Sequence, residues 1–179
     1  MSLKHGKGTD SFENGDTYTG EYQYGKPHGF GTYKWQNGAS YVGNFANGIK
    51  DGMGKWKKDD RPNCNQYEGH FFNDMKHGFG TFTWESGNKY EGDYYLDLRE
   101  GEGKMSWNDG SNYEGEWHKG LQNGQGCLTL ADGRVKAGHF RNNKFHGGPA
   151  RRPIHSQVNT IKEEDDEYDE GLQEKARDD

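Results

Sequence analysis

A 23-residue repeat governs what this chain can fold into. Tyr18, Tyr41, Tyr67, Tyr90 and Tyr113 each open a Y-x-G-x-aromatic segment, reading YTGEY, YVGNF, YEGHF, YEGDY and YEGEW. A sixth copy, Lys136-Ala137-Gly138-His139-Phe140, keeps the glycine and the ring but lacks the tyrosine. Successive copies start 23, 26, 23, 23 and 23 residues apart, and the long interval holds an insertion at residues 59–66. Each copy has a second half, a G-x-G followed by aromatic or apolar positions. Gly29/Gly31 lead to Trp35, Gly52/Gly54 to Trp56, Gly78/Gly80 to Trp84, Gly101/Gly103 to Trp107 and Gly124/Gly126 to Leu130. Gly6/Gly8 leading to Phe12 form a half-repeat before the first full one.

Both halves are too short for stable helices and alternate with period two, so each reads as a strand. Asn14-Gly15, Asn37-Gly38, Asn47-Gly48, Asp109-Gly110 and Asp132-Gly133 lie between them. Such pairs favour positive φ and mark tight hairpins. A hairpin every 23 residues predicts an all-β fold, an elongated single-layer antiparallel β-meander. At two strands per repeat and about 4.8 Å per strand, six repeats span roughly 60 Å. The repeat domain is expected over residues 5–147, with a half-repeat at 5–17 and repeats starting at 18, 41, 67, 90, 113 and 136. Residues 148–179 are read as a mostly irregular acidic tail, disordered or partner-bound. Within it, Glu163–Glu174 is expected to form a helix when docked.

Alternation also predicts which way the rings face. Of the 24 aromatics in residues 1–145, 18 share the parity of the glycines, so rings lie beside bare backbone. A ring then covers its neighbour's missing side chain, as in aromatic rescue of glycine. The opposite parity is mostly polar, with Thr19, Glu21, Glu68 and Glu91 on first strands and Thr32, Lys34, Lys55 and Thr81 on second strands. The sheet should have one wet face and one aromatic groove. Tyr22, Phe45, Phe71, Tyr94 and Trp117, each closing its Y-x-G-x-aromatic segment, are the expected most exposed groove residues and the candidate partner-binding set.

Composition supports this reading. Hydrophobic residues are only 28%, too few for a thick globular core, yet aromatics reach 14%, which disordered chains lack. Net charge is −6, and residues 163–179 carry ten acids against Lys175 and Arg177. The rest is nearly neutral. No basic stripe exists for nucleic acid, and no cluster of four to eight basic residues for anionic lipid. No apolar run approaches the ~20 residues of a membrane-spanning helix. The N-terminal residues do not resemble a signal peptide, so the chain is expected inside the cell. Cys64 and Cys127 are then two free thiols.

No catalytic, cofactor or metal site is expected. His28, His77 and His146 recur before a glycine but fall in different repeats, so they cannot converge on one ion. Glu114/Glu116 and Glu91/Asp93 lie on an open polar face, which supplies neither the burial nor the crowding that raises a carboxyl pKa. No copy of G-x-G extends to a nucleotide-binding fingerprint, and no acidic run completes a calcium loop.

These segments resemble the MORN repeat over about residues 5–147. The opening stretch NGDTYTGEYQYGKPHGFGTYKWQNGASYVGNF resembles members of that family found in the radial spoke head of cilia. The resemblance implies a non-catalytic scaffold of the axoneme, with other radial spoke head subunits as partners. It also implies a ranked alternative, phospholipid binding at a membrane, and a third, an accessory module acting on an enzyme in trans. The imperfect terminal repeats leave sheet edges where a homodimer could pair.

Overall fold

A computed structural model describes residues 3–149; all of the predicted acidic tail beyond Pro149 lies outside them. Thirteen strands and no helix occur among the described residues. The chain divides into two compact units, one ending at Asp97 and one starting at Leu98. The first holds β1 (Gly6–Ser11), β2 (Thr17–Gln23), β3 (Lys26–Lys34), β4 (Ser40–Ala46), β5 (Ile49–Lys57), β6 (Gln66–Phe72), β7 (Met75–Thr83) and β8 (Lys89–Tyr95). The second holds β9 (Leu98–Ser106), β10 (Asn112–His118), β11 (Leu121–Thr129), β12 (Val135–Arg141) and β13 (Lys144–Gly147). Within each unit every strand pairs antiparallel with the next, which is the expected all-β meander.

Two kinds of turn alternate. Within repeats, two-residue loops place both central residues at positive φ: Tyr24-Gly25 at 50° and 78°, Asn47-Gly48 at 53° and 93°, and Lys119-Gly120 at 51° and 82°. These are type I′ geometries, whose twist suits adjoining strands. Only Asn47-Gly48 among the predicted tight pairs belongs to this class. At Asn14-Gly15 the loop is longer, with the Phe12 amide donating to the Asp16 carbonyl at 2.9 Å. There only the glycine has positive φ, while the Asn14 carboxamide oxygen accepts from the Asp16 amide at 3.0 Å. The same side-chain cap recurs at Asn37, Asp109 and Asp132. Asn and Asp here act as short acceptors for the chain two residues on.

The two glycines of each G-x-G do different jobs. Between Gly20 and Tyr22 the register of β2 against β3 shifts, and Gly29 absorbs the bulge at φ 70°. Gly31 stands directly under the Tyr18 ring, and a Cβ there would overlap it. The arrangement recurs with Gly54 under Tyr41, Gly80 under Tyr67 and Gly126 under Tyr113. Each of these tyrosines is fully buried, or nearly so, in a sheet one layer thick.

The insertion is ordered by charge and by one substitution of role. Arg61 reaches Asp59 at 2.8 Å and Glu85, in the following loop, at 2.6 Å. The Asn65 carboxamide oxygen accepts from the Glu85 amide at 2.7 Å. Asp16 does the same for the Gln36 amide at 2.9 Å, so the insertion leaves the loop-to-loop contact intact. Cys64 is buried with its thiol donating to the Asp59 carbonyl at 3.2 Å. Both cysteines are free thiols.

Candidate partner-binding face

The tyrosine face is built as a ladder of perpendicular rings. In the first unit the chain of contacts runs Tyr22, Tyr18, Phe45, Tyr41, Phe71, Tyr67, Tyr94, Tyr90, with centroids 5.1–5.4 Å apart and planes at 81–90°. Edge-to-face contacts of this kind add about 0.5–1.5 kcal/mol each beyond area burial. The second unit has a shorter chain through Trp117, Tyr113, Phe140 and Phe145. Each repeat tyrosine also donates its hydroxyl to the carbonyl three residues on: Tyr18 to Glu21, Tyr41 to Asn44, Tyr67 to His70, Tyr90 to Asp93 and Tyr113 to Glu116, at 2.8–3.0 Å. Burial holds the phenols of Tyr18, Tyr41, Tyr67 and Tyr113 above their ordinary pKa.

The five residues expected to be most exposed are the reverse. Tyr22, Phe45, Phe71, Tyr94 and Trp117 are 2–6% exposed. Phe45, Phe71 and Tyr94 each wedge between the tyrosine of their own repeat and that of the preceding one, a neighbour that segment-by-segment reading does not supply. The rings left open on this face belong to second strands: Tyr33 with Trp35 at 4.8 Å, and Trp56 with Phe82 at 6.5 Å, all half-buried. Tyr33 donates to Asp16 at 2.7 Å; burial first, and then that bond, pushes its phenol up to about 12.

Cations cover these rings. The Lys50 ammonium sits 5.2 Å from the Phe71 centroid and 5.9 Å from that of Trp35. Lys76 lies 4.9 Å from Phe82 and 5.1 Å from Tyr94, and Arg99 lies 4.8 Å from Trp117. Attraction to the ring faces offsets part of the desolvation, and burial draws the Lys50 ammonium below its usual pKa. The backbone fixes where these cations stand. Carbonyls of Lys4, Pro27, Lys50, Lys76, Arg99 and Gln122 accept from the turn amides of Gly25, Gly48, Asp74, Asp97, Gly120 and Asn143 at 2.8–3.0 Å. One residue per repeat is thereby pinned at the rim of the ring ladder.

No group of three metal-ligating side chains converges among the described residues. His28 and His77 stand on separate strands, β3 and β7. The His77 ring packs 5.5 Å from Phe72 and 5.2 Å from Tyr95. No helix among the described residues is long and apolar enough to cross a membrane.

In each unit, a meander of repeated hairpins with its core made of rings shelved on glycines defines a β-meander repeat protein. The MORN repeat pattern matches residues 1–17, 18–40, 41–60, 67–89, 90–112, 113–133 and 137–147, and the chain belongs to the MORN-repeat family. No curated protein matches it. Among solved structures it is similar to the SAS-4 (dCPAP) TCP domain of Drosophila melanogaster, in complex with a proline-rich motif of Ana2 (dSTIL). That likeness has 15% identity, a TM-score of 0.44, and covers 73% of this chain and 70% of that one. A score at that level carries no argument about function.

Proposed function

We propose that this chain is a non-catalytic scaffold that holds partner proteins, and more particularly a radial spoke head subunit of the ciliary axoneme supporting motility. The scaffold reading rests on one observation. Half-buried rings of Tyr33, Trp35, Trp56 and Phe82 alternate with the Lys50 and Lys76 ammonium groups along one face. Rings plus fixed cations suit an extended or helical segment carrying acidic and aromatic side chains. The ciliary reading is supported by the resemblance of residues 14–45 to radial spoke head members of the family. In this reading the partners are other spoke head proteins and the location is the axonemal cytoskeleton.

The test is affinity isolation of the tagged chain from ciliated cells, alongside a Trp35→Ala/Trp56→Ala variant. Spoke head proteins should co-purify with the wild type and be depleted with the variant. Recovery of vesicle proteins with none from the axoneme would overturn the ciliary reading. Strong, salt-sensitive pelleting with anionic liposomes would replace it with the phospholipid alternative.

A further inference from the structure

We infer that two copies of this chain pair face to face through the solvated side of the unit ending at Asp97. This side is not the polar surface that alternation predicts. The middle residue of each G-x-G points away from the tyrosines; in this unit it is Lys7 on edge strand β1, then Phe30 on β3, Met53 on β5 and Phe79 on β7. The last three are 57%, 47% and 61% exposed. Val42, Phe72 and Tyr95 are exposed on the same side. The hairpin does not require apolar residues there: the equivalent positions on β9 and β11 are Glu102 and Gln125, with the same strand pairing. A row of large exposed apolar side chains, spaced by Asn44 and His70, that folding does not need marks a surface meant to be covered.

The register suits a second copy as the cover. Phe30, Met53 and Phe79 stand two strands apart, about 9.6 Å, with shorter or polar residues on the strands between. A depression of about 450 Å³ lies between Met53 and Phe79, floored by Gly69 and His70 of β6 and walled by Lys55, Glu68 and Thr81. Place a two-fold axis parallel to the strands, between β5 and β6. Each β5 then lies over the other copy's β6, and each Met53 enters the other's depression. Phe79 falls over Asn44 of β4, between Phe30 and Met53 of the other copy. Lys55 and Glu68, an ion pair at 3.1 Å and cross-strand neighbours, each face the opposite charge across the axis. The charges are therefore self-complementary, as an isologous interface demands.

The area is sufficient. Half-exposed Phe, Tyr and Met side chains offer about 100 Å² each, on the order of 500–600 Å² for the six apolar residues. The polar residues around the axis, Lys55, Glu68, His70 and Thr81, bring each side near the ~800 Å² of a stable interface. Two sheets packed this way lie about 10 Å apart with strands nearly aligned.

Sedimentation equilibrium of the full chain, wild type and variants, tests this. The wild type should be a dimer. Met53→Glu should raise the dissociation constant at least about tenfold, with an unchanged circular dichroism spectrum. Lys55→Glu and Glu68→Lys should each weaken the dimer, and the charge-swapped double variant should restore it. A monomeric wild type at high micromolar concentration would overturn the inference. So would a dimer that Met53→Glu leaves intact and a proline in edge strand β1 or β13 breaks.

Discussion

The unit ending at Asp97 and the unit starting at Leu98 are built on one plan and dressed differently. In both, a buried tyrosine lies over a glycine and donates its hydroxyl three residues on, as Tyr67 does to His70 and Tyr113 to Glu116. In both, turn amides bond back to the preceding repeat, Asp74 to Lys50 and Asn143 to Gln122. The differences lie on the two surfaces. On the tyrosine face the first unit presents half-buried Trp56 and Phe82, the latter under Lys76, where the second buries Met105 and Leu128. On the other face Phe30, Met53 and Phe79 give way to Glu102 and Gln125. What recurs in both units holds the sheet; what changes between them is free to serve recognition.

Removing a rung of the ladder should be equally damaging in either unit. Phe71→Ala and Trp117→Ala should each cost about 4 kcal/mol in urea unfolding, because each leaves a cavity among perpendicular rings. A much smaller loss for Trp117 would show that the two ladders are not equivalent. Next in size come Gly80→Ala and Gly126→Ala, whose new Cβ must displace the Tyr67 or Tyr113 ring. About 2 kcal/mol is expected for each, again matched between units.

The smallest effect should separate the units. The Arg61 side chain holds the Asp59 carboxyl at about 2, below its ordinary 3.8. A depressed folded pKa stabilises above the unfolded value and is lost as pH falls through the folded one. The urea midpoint should therefore drop between pH 4 and pH 2, and Asp59→Asn should flatten that drop. The second unit has no counterpart to this loop, so its own unfolding should not respond to the substitution.

The strands, their order and the ring-over-glycine face were all readable from the 23-residue spacing, because strand parity fixes facing. Three things were not. Asn14, Asn37, Asp109 and Asp132 cap their loops through side chains, and a dipeptide signature does not separate that use from a type I′ turn. Phe45, Phe71 and Tyr94 are buried because the preceding repeat's tyrosine closes over them, a contact that exists only once the hairpins are stacked. Phe30, Phe72, Phe79 and Tyr95 are four of the six aromatics that break glycine parity. That break is visible in the sequence, but pattern alone does not distinguish an off-register ring from an exposed patch.

Spectrophotometric titration of the phenols under native conditions tests most directly whether these rings form the core. Tyr18, Tyr22, Tyr33, Tyr41, Tyr67 and Tyr113 all have raised pKa values, burial being the largest cause. Their contribution to stability is complete below about pH 10, the unfolded phenol value, and is lost as pH climbs from there. At least these six of the eleven tyrosines should stay protonated near pH 11 while the β spectrum persists, and should ionise only as the sheet unfolds. Ionisation of all eleven together near pH 10, with the sheet intact, would contradict the account.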